Sequence, residues 1–251
     1  MLRTRVMPCL LLKDSKLVKT IKFKNPEYVG DPINAVMIYN EKEVDELIFL
    51  DVTATLEGKR PPFKVISEIA TECFMPFTYG GGIKNLEDVK EIFKLGVEKV
   101  AINSHAIEHP EFLSEIAKIH GSQSVVVAID VKKTWSGYKV FTKSGTKNTG
   151  LDPVEWAKEA ERRGAGEILL TSIDNDGVMQ GYDTELISKV SKAVRVPVIA
   201  CGGAGRIEHF RTAVDAGASA VAAGSMVVYH GAAKGVLINF PARDELTKML
   251  S

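Results

Sequence analysis

One stretch of this sequence occurs twice, and the repeat restricts the chain to a small set of folds. The first copy runs from Pro76 to Ser104 (PFTYGGGIKNLEDVKEIFKLGVEKVAINS) and the second from Pro197 to Ser225 (PVIACGGAGRIEHFRTAVDAGASAVAAGS), 121 positions later throughout. Gly81 corresponds to Gly202, Gly82 to Gly203, Gly96 to Gly217, Val100 to Val221 and Ser104 to Ser225. Each copy reads as strand, glycine turn, helix, glycine, strand and then a small or hydroxyl residue, which makes the repeat architectural. The offset continues upstream, where DELIFLDV at 45–52 matches GEILLTSI at 166–173.

The rest of the chain fits the same plan. Further strands are expected at Arg5–Leu12, Asp45–Asp51, Ser124–Asp130 and Glu167–Ser172. Helices are expected from Asp31-Pro32 to about Lys42, and at Pro61–Phe74, Ala106–His120, Pro153–Arg163, Thr184–Ala193 and Ala242–Leu250. Asp31 before Pro32 is a helix-start signal. Lys13–Gly30 reads as a polar loop, and Val131–Gly150 as a long loop with a small hairpin arm at Tyr138–Thr142. The strands are short, β-branched and apolar on both faces, as in a parallel sheet covered on both sides. Eight strands alternating with eight helices, in two matching sets of four, predict a single (β/α)8 barrel over residues 1–251, with half-barrels of about 1–121 and 122–251. A doubly wound open sheet has no reason to repeat at its midpoint.

Composition narrows the function. Lys+Arg and Asp+Glu are both 32, so the net charge is zero, which gives no support for nucleic-acid or membrane-surface binding. The three cysteines, Cys9, Cys73 and Cys201, are scattered and form no metal or disulfide pattern; a reducing cytoplasm is the expectation. No metal or other cofactor is expected.

In such a barrel, chemistry sits at the C-terminal ends of the strands. The polar residues there are Asp51, Asn103, Asp130, Ser172 to Asp176, Cys201 and Ser225. A glycine turn after a strand lets backbone N–H groups approach an anion, and free N–H groups at a helix start favour phosphate. Gly81, Gly82, Asn103 and Ser104 thus form one candidate phosphate cradle, and Gly202, Gly203, Gly224 and Ser225 a second. Two cradles suit a ligand phosphorylated at both ends; the alternative is that the glycines only make tight turns. Asp130 follows an apolar run, where desolvation would raise its pKa and suit it to general acid–base work; the alternative is a loop cap or a pair with Lys132 or Lys19. Asp176-Gly177 is either a turn or a carboxylate aimed at substrate hydroxyls. At the opposite end, Arg5, Glu46, Lys99 and Glu167 each fall at a strand start. They either point into solvent or close the barrel floor as a salt-bridged ring and gate.

Several segments together carry a resemblance: PCL at 8–10, FTYGGGI at 77–83, GSQSVVVAID at 121–130, KNTG at 147–150, RGAGEILLTSIDNDG at 163–177, GYD at 181–183 and GGAG at 202–205. The chain resembles, over residues 1 to about 226, the cyclase subunit of imidazole glycerol phosphate synthase. The resemblance implies a (β/α)8 barrel docked by its N-terminal face on a glutaminase subunit. Ammonia released by the glutaminase crosses the barrel and attacks a bisphosphorylated substrate at the far end. It implies that Asp130 is one of two catalytic aspartates, that the two glycine-serine sets hold phosphates, and that Lys19, Asp51, Asp176 and Gly177 contact substrate. Arg5, Glu46, Lys99 and Glu167 match an ammonia gate.

The departure lies at the other aspartate. Where the family's first strand ends PCLDV, this chain has Pro8-Cys9-Leu10-Leu11-Leu12, and Leu11 cannot move a proton. The tail from Tyr229 to Pro241 also departs. This combination resembles second copies of the subunit associated with sugar amidation in surface-polysaccharide biosynthesis, in which a barrel and a glutaminase supply ammonia to a separate amidotransferase. The alternatives are a synthase subunit of histidine biosynthesis that tolerates Leu11, and a non-enzymatic barrel that only activates the glutaminase.

Overall fold

The repeat reappears residue for residue in three dimensions. In the structure, a computed structural model that describes residues 4–231 and 233–250, barrel strands β3 (Phe77–Gly80) and β4 (Lys99–Ile102) correspond at the 121-residue offset to β7 (Val198–Cys201) and β8 (Ala220–Ala223). The helices between them, α3 (Leu86–Lys94) and α7 (Ile207–Asp215), begin and end at the same offset. The other barrel strands are β1 (Arg5–Lys13), β2 (Leu47–Asp51), β5 (Val125–Thr134) and β6 (Glu167–Ser172).

These eight strands form one closed parallel sheet in sequence order. The closing pairs are β1 with β8 (Arg5 opposite Ala220) and β5 with β6 (Asp130 opposite Thr171). Strands β1 and β5 therefore face each other across the barrel. Helices α1 (Pro32–Glu41), α2 (Phe63–Glu72), α4 (Glu111–His120), α5 (Pro153–Arg162), α6 (Thr184–Ser191) and α8 (Arg243–Leu250) complete the outer layer with α3 and α7. Several start on side-chain caps: Asp31 accepts from Ile33 and Asn34 N–H, and Asp152 from Val154 and Glu155 N–H, each with proline in the first turn.

Alternate residues of each strand point to two separate cores. Val6, Leu10 and Leu12 of β1 pack outward with the helices. Met7 and Cys9 pack inward with Ile48, Ala101, Val126, Ala128, Leu169, Ile199, Ala220 and Ala222. The double burial is why these strands show no polar–apolar alternation.

Two expected loops contain strands. Lys13–Gly30 holds an antiparallel hairpin, Lys16–Ile21 with Lys24–Gly30, continuous with β1. Its turn places Lys22 and Phe23 at φ +53 and +62, a conformation usually signalled by Gly or Asn, so the sequence hid it. In Val131–Gly150, β5 runs on to Thr134 and pairs with Gly137–Thr142, which includes the expected arm. The helix expected over Ala106–His120 is broken at His109-Pro110 into Ser104–Glu108 and α4, because proline disfavours helical geometry in the residue before it.

Candidate functional site

The floor of the barrel is a closed ring of four charges. Arg5 donates to Glu46 (2.8 Å) and to Glu167 (2.5 Å), and Lys99 reaches Glu46 (2.9 Å) and Glu167 (2.9 Å). Thr78, which the sequence reading missed, donates its hydroxyl to Glu46 at 3.1 Å. Both carboxylates are buried, at 4% and 8% relative exposure. Burial alone would lower the Arg5 pKa, but Glu167 and Glu46 together carry it above its ordinary value. Of the two readings of these strand starts, the ring is the one the structure forms.

Above the ring the lumen is narrow and apolar. On β4 the inward column is Lys99 and Ala101, with Asn103 just past its end; on β5 it is Val126, Ala128, Asp130; on β6 it is Glu167, Leu169, Thr171. Alanines at 101, 128, 220 and 222 keep the lining small. The columns end at the mouth, in a cavity of about 440 Å³ lined by Cys9, Leu11, Lys19, Asp51, Asn103, Asp130, Thr171, Asp176 and Cys201 among others.

Asp130 sits on the wall of this cavity. It accepts from Asn103 Nδ2 at 2.8 Å, and among the described residues it has no ion-pair partner. The two alternative partners are engaged elsewhere: Lys132 Nζ donates to Gly145 O (2.7 Å), and Lys19 pairs with Asp176. Desolvation pushes the Asp130 carboxyl up to about 7. The charge of Asp176 adds to this, and the hydrogen bonds of Thr171 and Asn103 and the charge of Lys132 oppose it. A carboxyl at that value can both take and give a proton near neutral pH. Across the mouth, at the corresponding position of the opposite strand, stands Leu11, 8% exposed and lining the same cavity.

The hairpin folds over one side of the mouth. Lys19 Nζ lies 3.0 Å from both carboxylate oxygens of Asp176, and Thr20 Oγ1 adds a bond at 3.2 Å. Asp176 is thus a carboxylate at the cavity and not only a turn residue. Gly177, at φ +76, turns the chain beneath the hairpin, where a side chain would overlap Thr20 O. Asp51 lines the cavity, but its Oδ1 accepts from Thr53 N–H, Thr53 Oγ1 and Ala54 N–H and so shapes the local turn.

The glycine turns have a packing reason of their own. A Cβ on Gly81 would lie 2.6 Å from Asp51 O, and one on Gly82 would lie 2.8 Å from Lys59 O. One on Gly202 would lie 2.5 Å from Ser172 O, and one on Gly203 would overlap Gly181 O. All four have φ between +72 and +123. The first set, Gly81, Gly82, Asn103 and Ser104, lines the cavity; of the second set only Gly224 does, and Gly202, Gly203 and Ser225 lie off its wall. Lys84 and His105, which the sequence reading passed over, line the first side. Each sits within two residues of a singled-out position, so proximity to the repeat was the available signal. Among the described residues no group of His, Cys, Asp and Glu is arranged to hold a metal ion, and no helix is long and apolar enough to cross a membrane.

With this geometry in hand, comparison with known proteins is specific. The profile of the family described as "Histidine biosynthesis protein" matches residues 5–234. A Pseudomonas aeruginosa protein, named provisionally as imidazole glycerol phosphate synthase subunit hisF2, is 53% identical over 98% of this chain and 99% of its own length. A Vibrio vulnificus protein, named in the same provisional way as subunit hisF3, is 48% identical over 100% and 97%. The imidazole glycerol phosphate synthase subunit HisF of Natranaerobius thermophilus is 48% identical over 84% of both chains.

Proposed function

The chain belongs to the histidine biosynthesis protein family, in its HisF branch of imidazole glycerol phosphate synthase cyclase subunits, and from this we propose that it conducts ammonia from a glutaminase partner to the mouth of its barrel without closing the imidazole ring. The partner docks on the N-terminal face, over the ring of Arg5, Glu46, Lys99 and Glu167. Ammonia passes the ring, crosses the alanine-lined lumen and emerges beside Asn103, Asp130 and Thr171. From there it serves a separate amidotransferase that acts on a sugar of surface polysaccharide.

The observation that carries this reading is the unequal mouth: Asp130 is held near neutrality on one side, and Leu11 faces it from the other. Ring closure needs an acid and a base around the forming bond, and loss of one such group costs about 10²–10⁴ in rate. Conduction needs only the ring and the lumen, and the four paired charges and the small alanines of the lining support that reading. The numbered second and third copies among the relatives support the same branch.

The rival reading is a working synthase subunit of histidine biosynthesis. It is favoured by the first glycine turn, which lines the cavity, and by Asp130, which a bare conduit does not require. Deleting the gene separates the two. The proposal predicts growth without histidine and loss of an amidated sugar from the surface polysaccharide, read by mass spectrometry. A histidine requirement with unchanged polysaccharide would overturn it.

A further inference from the structure

A chain without net charge concentrates its lysines at one place. Residues 13–30, after β1, hold five lysines against Asp14 and Glu27, and residues 131–150, after β5, hold five lysines and no acid. These two segments form hairpins at the mouth, one from each half of the barrel. They meet there: a Cβ on Gly145 would lie 3.1 Å from Phe23 Cδ2, and Phe23 and Ser144 line the same cavity. Ser144 Oγ donates to Val52 O at 2.7 Å, which ties the second hairpin to the segment after β2.

Part of this charge is committed within the chain. Lys19 pairs with Asp176, Lys133 with Glu185, and Lys132 Nζ donates to Gly145 O. Lys22, Lys24 and Lys143 are exposed and have no ion pair among the described residues. Large apolar side chains stand exposed on the same face. Ile21, beside Lys22, is 52% exposed, Leu56 on the cavity wall is 50%, and Trp135, in the turn of the second hairpin, is 100%. Exposed aromatic and aliphatic side chains with charges around them are the composition of a protein interface, the apolar groups anchoring and the rim charges steering.

We propose that the mouth face is a second docking surface, and that it receives the ammonia-consuming amidotransferase through an acidic surface on that enzyme. The inference rests on the conduction reading and names the partner at its exit. The exit lies inside the patch, since Asn103, Asp130 and Thr171 line the cavity together with Phe23, Leu56 and Ser144. Ammonia released into bulk water at neutral pH takes up a proton and loses its nucleophilic lone pair, so a consumer seated on the mouth keeps it reactive. Charge decides against a second copy of this chain as the occupant: a two-fold contact would set Lys22, Lys24 and Lys143 against their own copies.

Sedimentation velocity tests it on the barrel–glutaminase complex mixed with the purified sugar amidotransferase of the same organism. A ternary complex should form at about 0.05 M salt and weaken at about 0.5 M. Lys22→Glu/Lys24→Glu, at exposed side chains off the cavity wall, should weaken it about tenfold and leave glutaminase binding unchanged. Lys90→Glu/Lys158→Glu, the same change of charge on α3 and α5, should have no effect. Absence of a ternary complex would overturn the inference, as would a complex that Lys22→Glu/Lys24→Glu leaves unchanged. So would self-association of the chain, or co-sedimentation with phosphatidylglycerol vesicles, that the same variant abolishes while amidotransferase binding persists. Amidation that depends on the gene in a system with no ternary complex would refute the docking and leave conduction standing.

Discussion

Replacing Asp130 by asparagine should stabilise the folded chain, and the gain should depend on pH in one direction only. The carboxyl is held at about 7 against an ordinary 3.8, chiefly by desolvation at the cavity wall. The folded chain therefore binds a proton between those values that the unfolded chain has released. Stability falls as pH rises from about 4 to 7, and the full penalty is present above 7. A separation of that size corresponds to about 4 kcal/mol. Asp130 is partly exposed at an open mouth, so water recovers some of this, and the expected gain for Asp130→Asn at pH 8 is about 1–4 kcal/mol. Asparagine keeps the acceptor for Asn103 Nδ2, so no buried donor is orphaned. The assay is urea denaturation of both proteins at pH 8 and pH 5. The difference between them should be larger at pH 8 than at pH 5, because part of the penalty arises between those values. All other titrating groups are common to both proteins and cancel. An Asp130→Asn variant that is less stable at pH 8, or equally shifted at both pH values, would refute the desolvation argument.

Three further outcomes follow from the geometry. Arg5→Ala removes one cation from the floor and leaves Glu46 and Glu167 to share Lys99; the expected loss is about 2–3 kcal/mol, or roughly 4–12 °C in Tm by calorimetry. Gly203→Ala should cost about 2–4 kcal/mol, because its Cβ would overlap Gly181 O. Gly137→Ala, at a similar φ of +98 but with open space around it, should cost only about 1 kcal/mol, and the contrast is read from paired denaturation curves. Lys19→Ala strips Asp176 of its cation and should release the hairpin, measured as faster tryptic cleavage after Lys22 and Lys24.

The sequence made the barrel legible because its repeat survives in the boundaries of β3, α3 and β4 and of β7, α7 and β8. It made the ring legible as four charges of alternating sign at strand starts, but their pairing needed the barrel to close. The hairpin over Lys16–Gly30 was hidden, since Lys22 and Phe23 adopt positive φ without the residues that usually announce it. The inequality of the two glycine turns was hidden for a deeper reason. The turns match in sequence, and what differs is what other segments bring to them: the β1 hairpin places Lys19 beside Gly224, and the arm after β5 places the Lys143 N–H on Ser104 Oγ. The packing role of the glycines was equally out of reach, because Gly181 and Ser172 meet Gly203 and Gly202 only in the folded chain.

The most direct test of the account is cyclase turnover by the purified chain, supplied with the open-chain bisphosphate substrate of histidine biosynthesis and excess ammonium salt, so that no glutaminase is required. With Leu11 opposite Asp130, the account predicts turnover about 10²–10⁴ below an ordinary enzyme rate. Turnover at an ordinary rate, about 1–10³ per second, would contradict it and make this a synthase subunit with a rearranged acid. Leu11→Asp, run beside it, locates the loss: regained activity would mean that the missing carboxylate alone silenced the ring closure.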